Sequence, residues 1–354
     1  MSKKKAALAA SAALAASSMF IVAQPASGAL VTNCRGNPGP VTVTGDLVVP
    51  RGEVCDLVGA TVTGNVRVYA NADLLMESST VGGSVYVTRD GYVDAVAGTQ
   101  ITGQVRSQDS LGVYVEESTV GGGVTQSSPY TTVTEPFVYL FGSAVGGGVD
   151  SSAGEVFIES SEVAGAVSAR NGVAADVIDS VLGSSLTVRN NASGSFVCES
   201  EIYGDAVFSG NSDTLQIGGS GAAGSCDGAS FWGGNLSFTG NTIGNTAGAS
   251  GFDITNNIVA GDLAGSGNDP LPTGAGNRVR GATTLEFADA GAEGGEVALQ
   301  QQSVESVESG AEAAVAADAR GADIKARAEA RRNEARADAA DTPADEVLDP
   351  APAG

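Results

Sequence analysis

The chain has 354 residues, with 41 acidic and 18 basic side chains and no histidine, so its formal charge is −23. The absence of histidine excludes Ser-His-Asp, Cys-His and histidine-metal chemistry. A surface this acidic repels nucleic acid and anionic lipid, so we expect neither as a partner.

Residues 1–29 have the pattern of a secretory signal peptide. Lys3, Lys4 and Lys5 precede an apolar, alanine-rich run, and small residues follow at 25–29, where a signal peptidase would cut. The run is short for a permanent membrane anchor. The sequence therefore predicts a secreted protein without membrane contact after cleavage, and its charge balance becomes 41 acidic against 15 basic residues, or −26.

Residues 30–287 carry a repeat of about twenty residues, whose unit is Val/Ala/Thr-x-Gly-x-Val/Leu. Most intervals between the anchoring glycines are 18–21 residues, and longer intervals of 25, 30 and 27 residues indicate insertions. The longest interval contains the glycine-rich stretch Gly218–Gly228. The anchors are Gly45, Gly64, Gly83, Gly103, Gly122, Gly147, Gly165, Gly183, Gly204, Gly234, Gly261 and Gly281.

Each repeat alternates valine with polar residues, the period of a half-buried strand, and none has room for a crossover helix. The near-constant interval favours stacked coils of three short strands over a sandwich. The predicted fold is all-β, a single-stranded parallel β-helix or right-handed solenoid of about 12 coils. At about 4.8 Å per coil it would be roughly 58 Å long. The glycines are expected where the backbone turns with positive φ or crowds its neighbour.

The repeat resembles right-handed parallel β-helix proteins, the architecture of pectate-lyase-like enzymes and of many secreted adhesins. Its short coils, as at Gly45-Asp46-Leu47 and Gly64-Asn65-Val66, are also similar to those of bactofilins, the polymer-forming β-helices of bacteria. Either resemblance covers about residues 40–285. Bactofilins are typically cytoplasmic or membrane-associated and lack disulfides, so a cytoskeletal function is not carried over. The Ala/Gly/Val/Asp/Arg-rich, lysine-poor composition indicates a bacterial source.

Four cysteines in an exported chain indicate two disulfides, with three possible pairings. Cys34 and Cys55 precede their anchoring glycines by 11 and 9 residues, and Cys198 and Cys226 precede theirs by 6 and 8. Similar positions on adjacent coils would place each pair within bonding distance. The repeat therefore predicts Cys34–Cys55, which would fasten the N-terminal end, and Cys198–Cys226, which would fasten the coil with the longest insertion.

The candidate catalytic residues are carboxylates, because histidine is absent and the only lysine outside 1–29 is Lys325. Asp253, Asp176 and Asp179 are the clearest candidates for a carbohydrate-active site. Asp176 and Asp179 are three residues apart, so on a strand they would face opposite sides. The favoured interpretation is that these are structural turn residues. The sequence predicts neither a metal site nor a cofactor.

Residues 288–354 differ in composition and are rich in Ala, Glu, Arg and Asp. Apolar side chains larger than alanine within 312–341 are only Val315 and Ile324, so we expect no stripe that could pack, and a solvated, disordered or partly helical tail. Gly321 is expected to interrupt the helix. The tail arginines, in particular Arg327, Arg331, Arg332 and Arg336, could instead dock on an anionic wall polymer.

Taken together, these features favour a secreted, non-enzymatic β-helix with a structural or adhesive extracellular role, whose partner would be a cell-wall or extracellular polysaccharide. The first alternative is a polysaccharide lyase or hydrolase that uses carboxylates in an insertion-lined groove. Such an enzyme needs two carboxyl groups roughly 5–9.5 Å apart, or an arginine that faces a carboxylate cluster. The second alternative is a filament that assembles end to end through exposed coil ends.

Overall fold

The computed structural model describes residues 30–128, 136–244, 251–288 and 306–350. The predicted signal peptide at 1–29 lies outside the described residues, and so do most of the insertions at 127–132 and 246–250. Among the described residues, no helix is both long and apolar enough to cross a membrane.

The chain forms a parallel β-solenoid of about 11 turns, so the predicted fold class is confirmed with one coil fewer than expected. Each coil contributes one strand to each of three sheets, A, B and C, and strands of successive coils pair in parallel.

Sheet A contains Val31–Cys34, Asp46–Val49, Val66–Val68, Val85–Thr88, Val105–Gln108, Val124–Ser127, Val149–Ser151, Val167–Arg170, Leu186–Arg189, Ala206–Ser209, Leu236–Thr239, Leu263–Ser266 and the C-terminal Leu348–Pro350. Sheet B contains Val54–Val58, Asp73–Glu77, Tyr92–Val96, Gly112–Glu116, Phe137–Phe141, Glu155–Glu159, Ala175–Ile178, Ser195–Cys198, Leu215–Ile217, Phe252–Thr255 and Thr273–Ala275. Sheet C contains Thr42–Val43, Thr61–Val62, Thr80–Val81, Gln100–Ile101, Thr119–Val120, Ala144–Val145, Glu162–Val163, Val181–Leu182, Glu201–Ile202, Ser230–Trp232, Asn257–Val259 and Arg278–Val279.

The side chains at alternate positions of each strand point inward and fill the interior. They are mainly valine, leucine and isoleucine. Aromatic residues join this core only in the later coils, where Phe208, Trp232, Phe238 and Phe252 are fully buried. The Trp232 indole N–H donates to Asn257 Oδ1 at 2.9 Å, so its polar atom is satisfied. The core is therefore continuous from the first coil to the last.

The anchoring glycines stack on one another at the turn between sheets C and A. The amide of Gly64 donates to the carbonyl of Gly45 at 2.8 Å, and that of Gly83 donates to Gly64 at 2.9 Å. A Cβ on Gly83 would lie 2.7 Å from the carbonyl oxygen of Gly64, so crowding, and not positive φ, selects glycine there. One anchor was assigned wrongly: Ser184, whose carbonyl accepts from the Gly204 amide at 3.1 Å, occupies the position expected for Gly183.

The turn between sheets B and C is held by a ladder of buried hydroxyls. A residue with positive φ, such as Ser160 or Asp179, ends the sheet B strand, and a buried serine follows it. The Oγ of Ser161 accepts the amide of Ser143 at 3.1 Å and donates to the Glu159 carbonyl at 2.8 Å. The remaining hydroxyl rungs are Ser79, Thr99, Ser118, Ser143, Ser180, Ser200 and Ser230.

An asparagine ladder serves the same purpose at the turn between sheets A and B in the later coils. Asn211 Oδ1 accepts the amide of Asn191 at 3.0 Å, and Asn241 Oδ1 accepts the amide of Asn211 at 3.0 Å. Both turns thus satisfy their buried amides with a side chain from the next coil.

The C-terminal segment returns to the first coil. Leu348–Pro350 pairs antiparallel with Val31–Cys34 and so covers the N-terminal edge of sheet A. The predicted bond Cys34–Cys55 lies at this end, with a Cα–Cα distance of 5.5 Å. The two cysteines were expected to stack on each other, but Cys34 lies on sheet A and Cys55 on sheet B. Gly36 is the residue that pairs with Cys55. The bond therefore lies in the buried core and joins the first coil to the second.

The second predicted bond, Cys198–Cys226, also has a Cα–Cα distance of 5.5 Å. Cys198 lies at the end of a sheet B strand. Cys226 was expected at the equivalent position of the adjacent coil but lies in the inserted loop after Ile217. The bond therefore fastens the insertion to the outer face of sheet B, where Phe196 packs against it.

The hydroxyl ladder yields a stability prediction. Ser161→Ala removes the acceptor of a buried amide, so we expect the free energy of unfolding to fall by about 1–3 kcal/mol, measured by urea denaturation. Ser168→Ala is the matched control, because this serine lies half-exposed on sheet A of the same region and should change stability by less than about 0.5 kcal/mol. Equal effects of the two substitutions would contradict the role assigned to the ladder.

Candidate functional site

The outer face of sheet B is the most chemically distinctive strand surface of the solenoid. The first, third and fifth residues of its five-residue strands point outward, and on the first seven coils these are mostly aromatic or acidic. The aromatic members are Tyr92, Tyr114, Phe137, Tyr139, Phe141 and Phe157. The acidic members are Asp56, Asp73, Glu77, Asp94, Glu116, Glu155, Glu159 and Asp176.

A long helix, α1 (Ser306–Ala340), covers this face. The expectation of a partly helical tail is therefore confirmed, but the expectation that it is solvated is wrong for residues 320–340. Ile324, Ala335 and Ala339 are at most 3% exposed. The helix continues through Gly321, where a Cβ would lie 3.5 Å from Phe157 and closer still to the Glu159 carboxylate. The glycine thus permits close approach instead of breaking the helix. We refer to this surface as the helix-covered face.

Salt bridges hold α1 to the strands. Arg332 forms two hydrogen bonds with Asp94, at 2.9 and 3.1 Å, and Arg331 forms two with Asp73 at the same distances. The Asp94 side chain is only 1% exposed, and Tyr92 also donates to it at 3.3 Å. Burial acts to lower the pKa of Arg332, but hydrogen bonding and attraction from Asp94 raise it above its ordinary value.

Arg336 and Lys325 of α1 also contact carboxylates of sheet B, whereas Arg327 does not. Arg336 contacts Asp56 at 3.4 Å and also Glu77, and Lys325 lies 3.7 Å from Glu159. Arg327 faces solvent and pairs within the helix with Asp323 at 3.1 Å.

Aromatic rings of the strands lie beneath four of these cations. The Lys325 ammonium lies 4.5 Å from the centre of the Phe141 ring, and the Arg331 guanidinium lies 4.7 Å from that of Tyr92. Arg320 and Arg332 lie 5.8 Å from the rings of Phe157 and Tyr114. Each such cation is held by a carboxylate and by a ring, which compensates part of the cost of removing it from water.

Arg331, Arg332 and Arg336 therefore bind carboxylates of their own chain. Their docking on an anionic wall polymer would require these ion pairs to open, and it stays a prediction. The fourth arginine of this prediction, Arg327, is exposed. Among the described residues its ion pair is with Asp323 of the same helix and not with a strand.

Asp176 lies under the helix and not in an open groove. It is 2% exposed, and Arg320 contacts both this carboxylate and that of Glu155. Burial raises the pKa of Asp176 to about 7, and the Phe196 amide, which donates to it at 2.9 Å, opposes the rise. An arginine does face two carboxylates here, but Glu155 also accepts from the Tyr139 hydroxyl, so the group is internally paired.

Asp253 and Asp179 lie apart from Asp176. Asp253 is three coils further along sheet B, about 14 Å away, where it pairs in register with Gln216 and Thr273. Burial raises its pKa, and a hydrogen bond from Thr273 opposes the rise. Asp179 occupies a turn with φ 46° and accepts from Ser160 at 3.1 Å. The three candidates thus do not form one site.

The insertion after Ile217 covers sheet B beyond the helix. Gln216, fully buried, donates to the carbonyls of Gly219 and Gly224 at 3.0 and 2.7 Å and accepts the amide of Ala223 at 2.8 Å. The loop is thus organised by a residue that the sequence did not single out. Within the described ranges, no group of three or more acidic or cysteine side chains has the arrangement of a metal site.

An open groove of about 470 Å³ lies on the outer side of sheet A near its turn to sheet B, along the first five parallel strands of that sheet. We call it the sheet A groove. Residues that line it include Asn33, Arg51, Tyr69, Thr88, Arg89 and Gln108. Its neighbours on the same sheet are Arg67, Tyr86 and Arg106. None of these residues was predicted to form a site, although the concentration of arginine and tyrosine within 51–106 was a visible signal.

Comparisons with protein-family models, with curated proteins and with solved structures found no match for this chain.

The salt bridges of α1 predict a strong effect of Arg332→Ala. This substitution leaves the buried Asp94 carboxylate without its guanidinium, so we expect a loss of about 3 kcal/mol in the free energy of unfolding and faster amide exchange within 320–340. Arg327→Ala removes an exposed arginine from the same helix and should cost less than about 0.5 kcal/mol. Unchanged amide exchange in the Arg332 variant would argue against this docking mode.

The buried Asp176 carboxyl predicts a pH dependence. Its pKa is higher in the folded protein than its ordinary value of 3.8, so folding takes up a proton between about pH 4 and 7. Its contribution is present below pH 4 and is lost as the pH rises through 7. Because the Arg320 guanidinium favours the ionised carboxylate, the loss is smaller than the roughly 4 kcal/mol that burial alone would give. Asp176→Asn should flatten the pH profile of the urea midpoint, whereas Asp179→Asn, which removes an exposed carboxylate nearby, should retain it.

Proposed function

We propose that this chain is a secreted, non-enzymatic β-solenoid that has a structural or adhesive role outside the cell and binds polysaccharide through the sheet A groove. The observation that carries the proposal is the contrast between two faces. Most of the acidic and aromatic side chains on the helix-covered face contact the chain's own cations, whereas the sheet A groove is open and presents Tyr69, which is 48% exposed.

Secretion is supported by two independent features. Residues 1–29 have the composition of a signal peptide, and the four cysteines are paired in two disulfides, which persist in oxidising compartments.

The enzyme alternative is less well supported. Asp176 and Glu155 converge on Arg320, but both carboxylates are already paired and α1 lies over them. Asp253 pairs in register with an amide and a hydroxyl, and not with a second carboxylate. End-to-end assembly into a filament needs exposed strand edges at both ends of the rod. At the N-terminal end Leu348–Pro350 pairs with the first strand of sheet A and covers that edge.

The proposal predicts binding without turnover. Residues 30–354 would be incubated with plant, algal and bacterial wall polysaccharides, and we expect protein to sediment with at least one insoluble polymer while no reducing ends or unsaturated products appear. Tyr69→Ala should abolish co-sedimentation, because an exposed ring in a groove is a platform for a sugar face. Tyr203→Ala, which removes an equally exposed tyrosine from sheet C, should not.

Three outcomes would overturn the proposal. Turnover that Asp176→Ala or Asp253→Ala abolishes would make the protein an enzyme. Rods much longer than about 60 Å at high protein concentration would favour the filament. Failure to sediment with every polymer would remove the adhesive role.

A further inference from the structure

We infer that the sheet A groove selects a linear polysaccharide that carries carboxylate groups, and that Arg51, Arg67, Arg89 and Arg106 recognise those groups. This inference rests on the proposed function and adds the chemical class of the ligand.

The first argument is the distribution of charge. Only 15 basic residues remain outside 1–29 in a chain with 41 acidic ones, yet four of them lie at this one surface. All four arginines are exposed, and none has a carboxylate within 4.0 Å among the described residues. Asp109 also lines the groove but is only 4% exposed. The charge that the groove presents to solvent therefore comes from the guanidiniums of Arg51 and Arg89.

The second argument is the spacing that the solenoid imposes. Arg67, Tyr86 and Arg106 pair in register on three successive coils, so the two arginines are two coils, or about 10 Å, apart. Arg51 and Arg89 lie on either side of the coil that carries Tyr69 and are separated by the same two coils. Two pairs of guanidiniums with one repeat distance along the rod match a ligand whose charges recur along a chain.

The third argument is the chemistry between the charges. Tyr86 lies between the arginines of its row, and its ring is 5.8 Å from the Arg67 guanidinium, while Tyr69 is exposed inside the groove. The amides of Asn33 and Gln108 and the hydroxyl of Thr88 supply donors and acceptors for hydroxyl groups. Rings, amides and guanidiniums suit the faces, hydroxyls and carboxylates of an acidic sugar chain, since guanidinium binds carboxylate through two parallel hydrogen bonds.

Nucleic acid is also a polyanion but fits less well. The groove is a short positively charged surface on a chain whose net charge is strongly negative. A phosphate backbone longer than the groove would therefore be repelled by the acidic surface around it. A carboxylated glycan needs charge at intervals only, with uncharged sugar between.

The test compares a carboxylated polysaccharide with its uncharged ester and with a polyanion of different chemistry. Polygalacturonate, its fully methyl-esterified form and single-stranded DNA of similar charge would be titrated into residues 30–354 by calorimetry at two salt concentrations. We expect polygalacturonate to bind at least about tenfold more tightly than the ester, with an affinity that falls as salt increases.

The variants separate the groove from general charge. Arg51→Gln/Arg89→Gln should weaken binding of polygalacturonate about tenfold or more. The matched control Arg278→Gln/Arg280→Gln removes two exposed arginines from the opposite end of the rod and should change it less than about twofold.

The inference fails if acid and ester bind equally, if the two double variants behave alike, or if DNA binds as tightly as the acid. In the first case adhesion to polysaccharide still stands, so the failure concerns the ligand class only. If neither form of the polymer binds and no other polysaccharide sediments the protein, both proposals are wrong.

Discussion

The stacking of coils at one backbone spacing is the constraint on which the rest of this structure depends. Every position recurs about 4.8 Å away on the next coil, so whatever a turn requires must be supplied by the equivalent residue of its neighbour. The hydroxyl ladder through Ser143, Ser161 and Ser180 and the asparagine ladder through Asn191 and Asn211 are direct consequences. Each buried amide finds its acceptor one coil along, which makes the turns dry and the rod regular.

The same spacing explains why one helix can cover a sheet of parallel strands. An α-helix rises about 1.5 Å per residue, so each coil corresponds to about three helical residues. From Arg320 to Arg336 the helix rises about 24 Å, while Asp176 and Asp56 are six coils, or about 29 Å, apart, a difference that arginine side chains span. Docking therefore needs cations every few residues, with small residues such as Gly321 between them.

The repeat was readable from the sequence because crowding at the stacked glycines leaves a fixed signal, and it located both disulfides. It failed at Ser184, which takes the place of the glycine, and in the positions of the cysteines: Cys34 does not stack on Cys55, and Cys226 lies in a loop. The docking of the helix was not predicted because the tail has no apolar stripe, and α1 binds the strands mainly through charge. The available signal was on the strands: a run such as Phe137–Phe141, apolar at every position, is typical of a strand covered on both faces.

The tail also reaches the groove that we propose as the binding site. The returning strand Leu348–Pro350 places Asp349 in register with Asn33, a residue of the groove lining, and Arg35 joins Asp349 to Glu53. The tail thus lies beside the N-terminal end of the groove, while its cations pair with carboxylates of sheet B. The groove arginines are not part of this network because they lie on the side of sheet A, whereas the carboxylates that pair with the helix lie on sheet B. The separation of these two sets of cations is what leaves a positive surface open on an acidic protein.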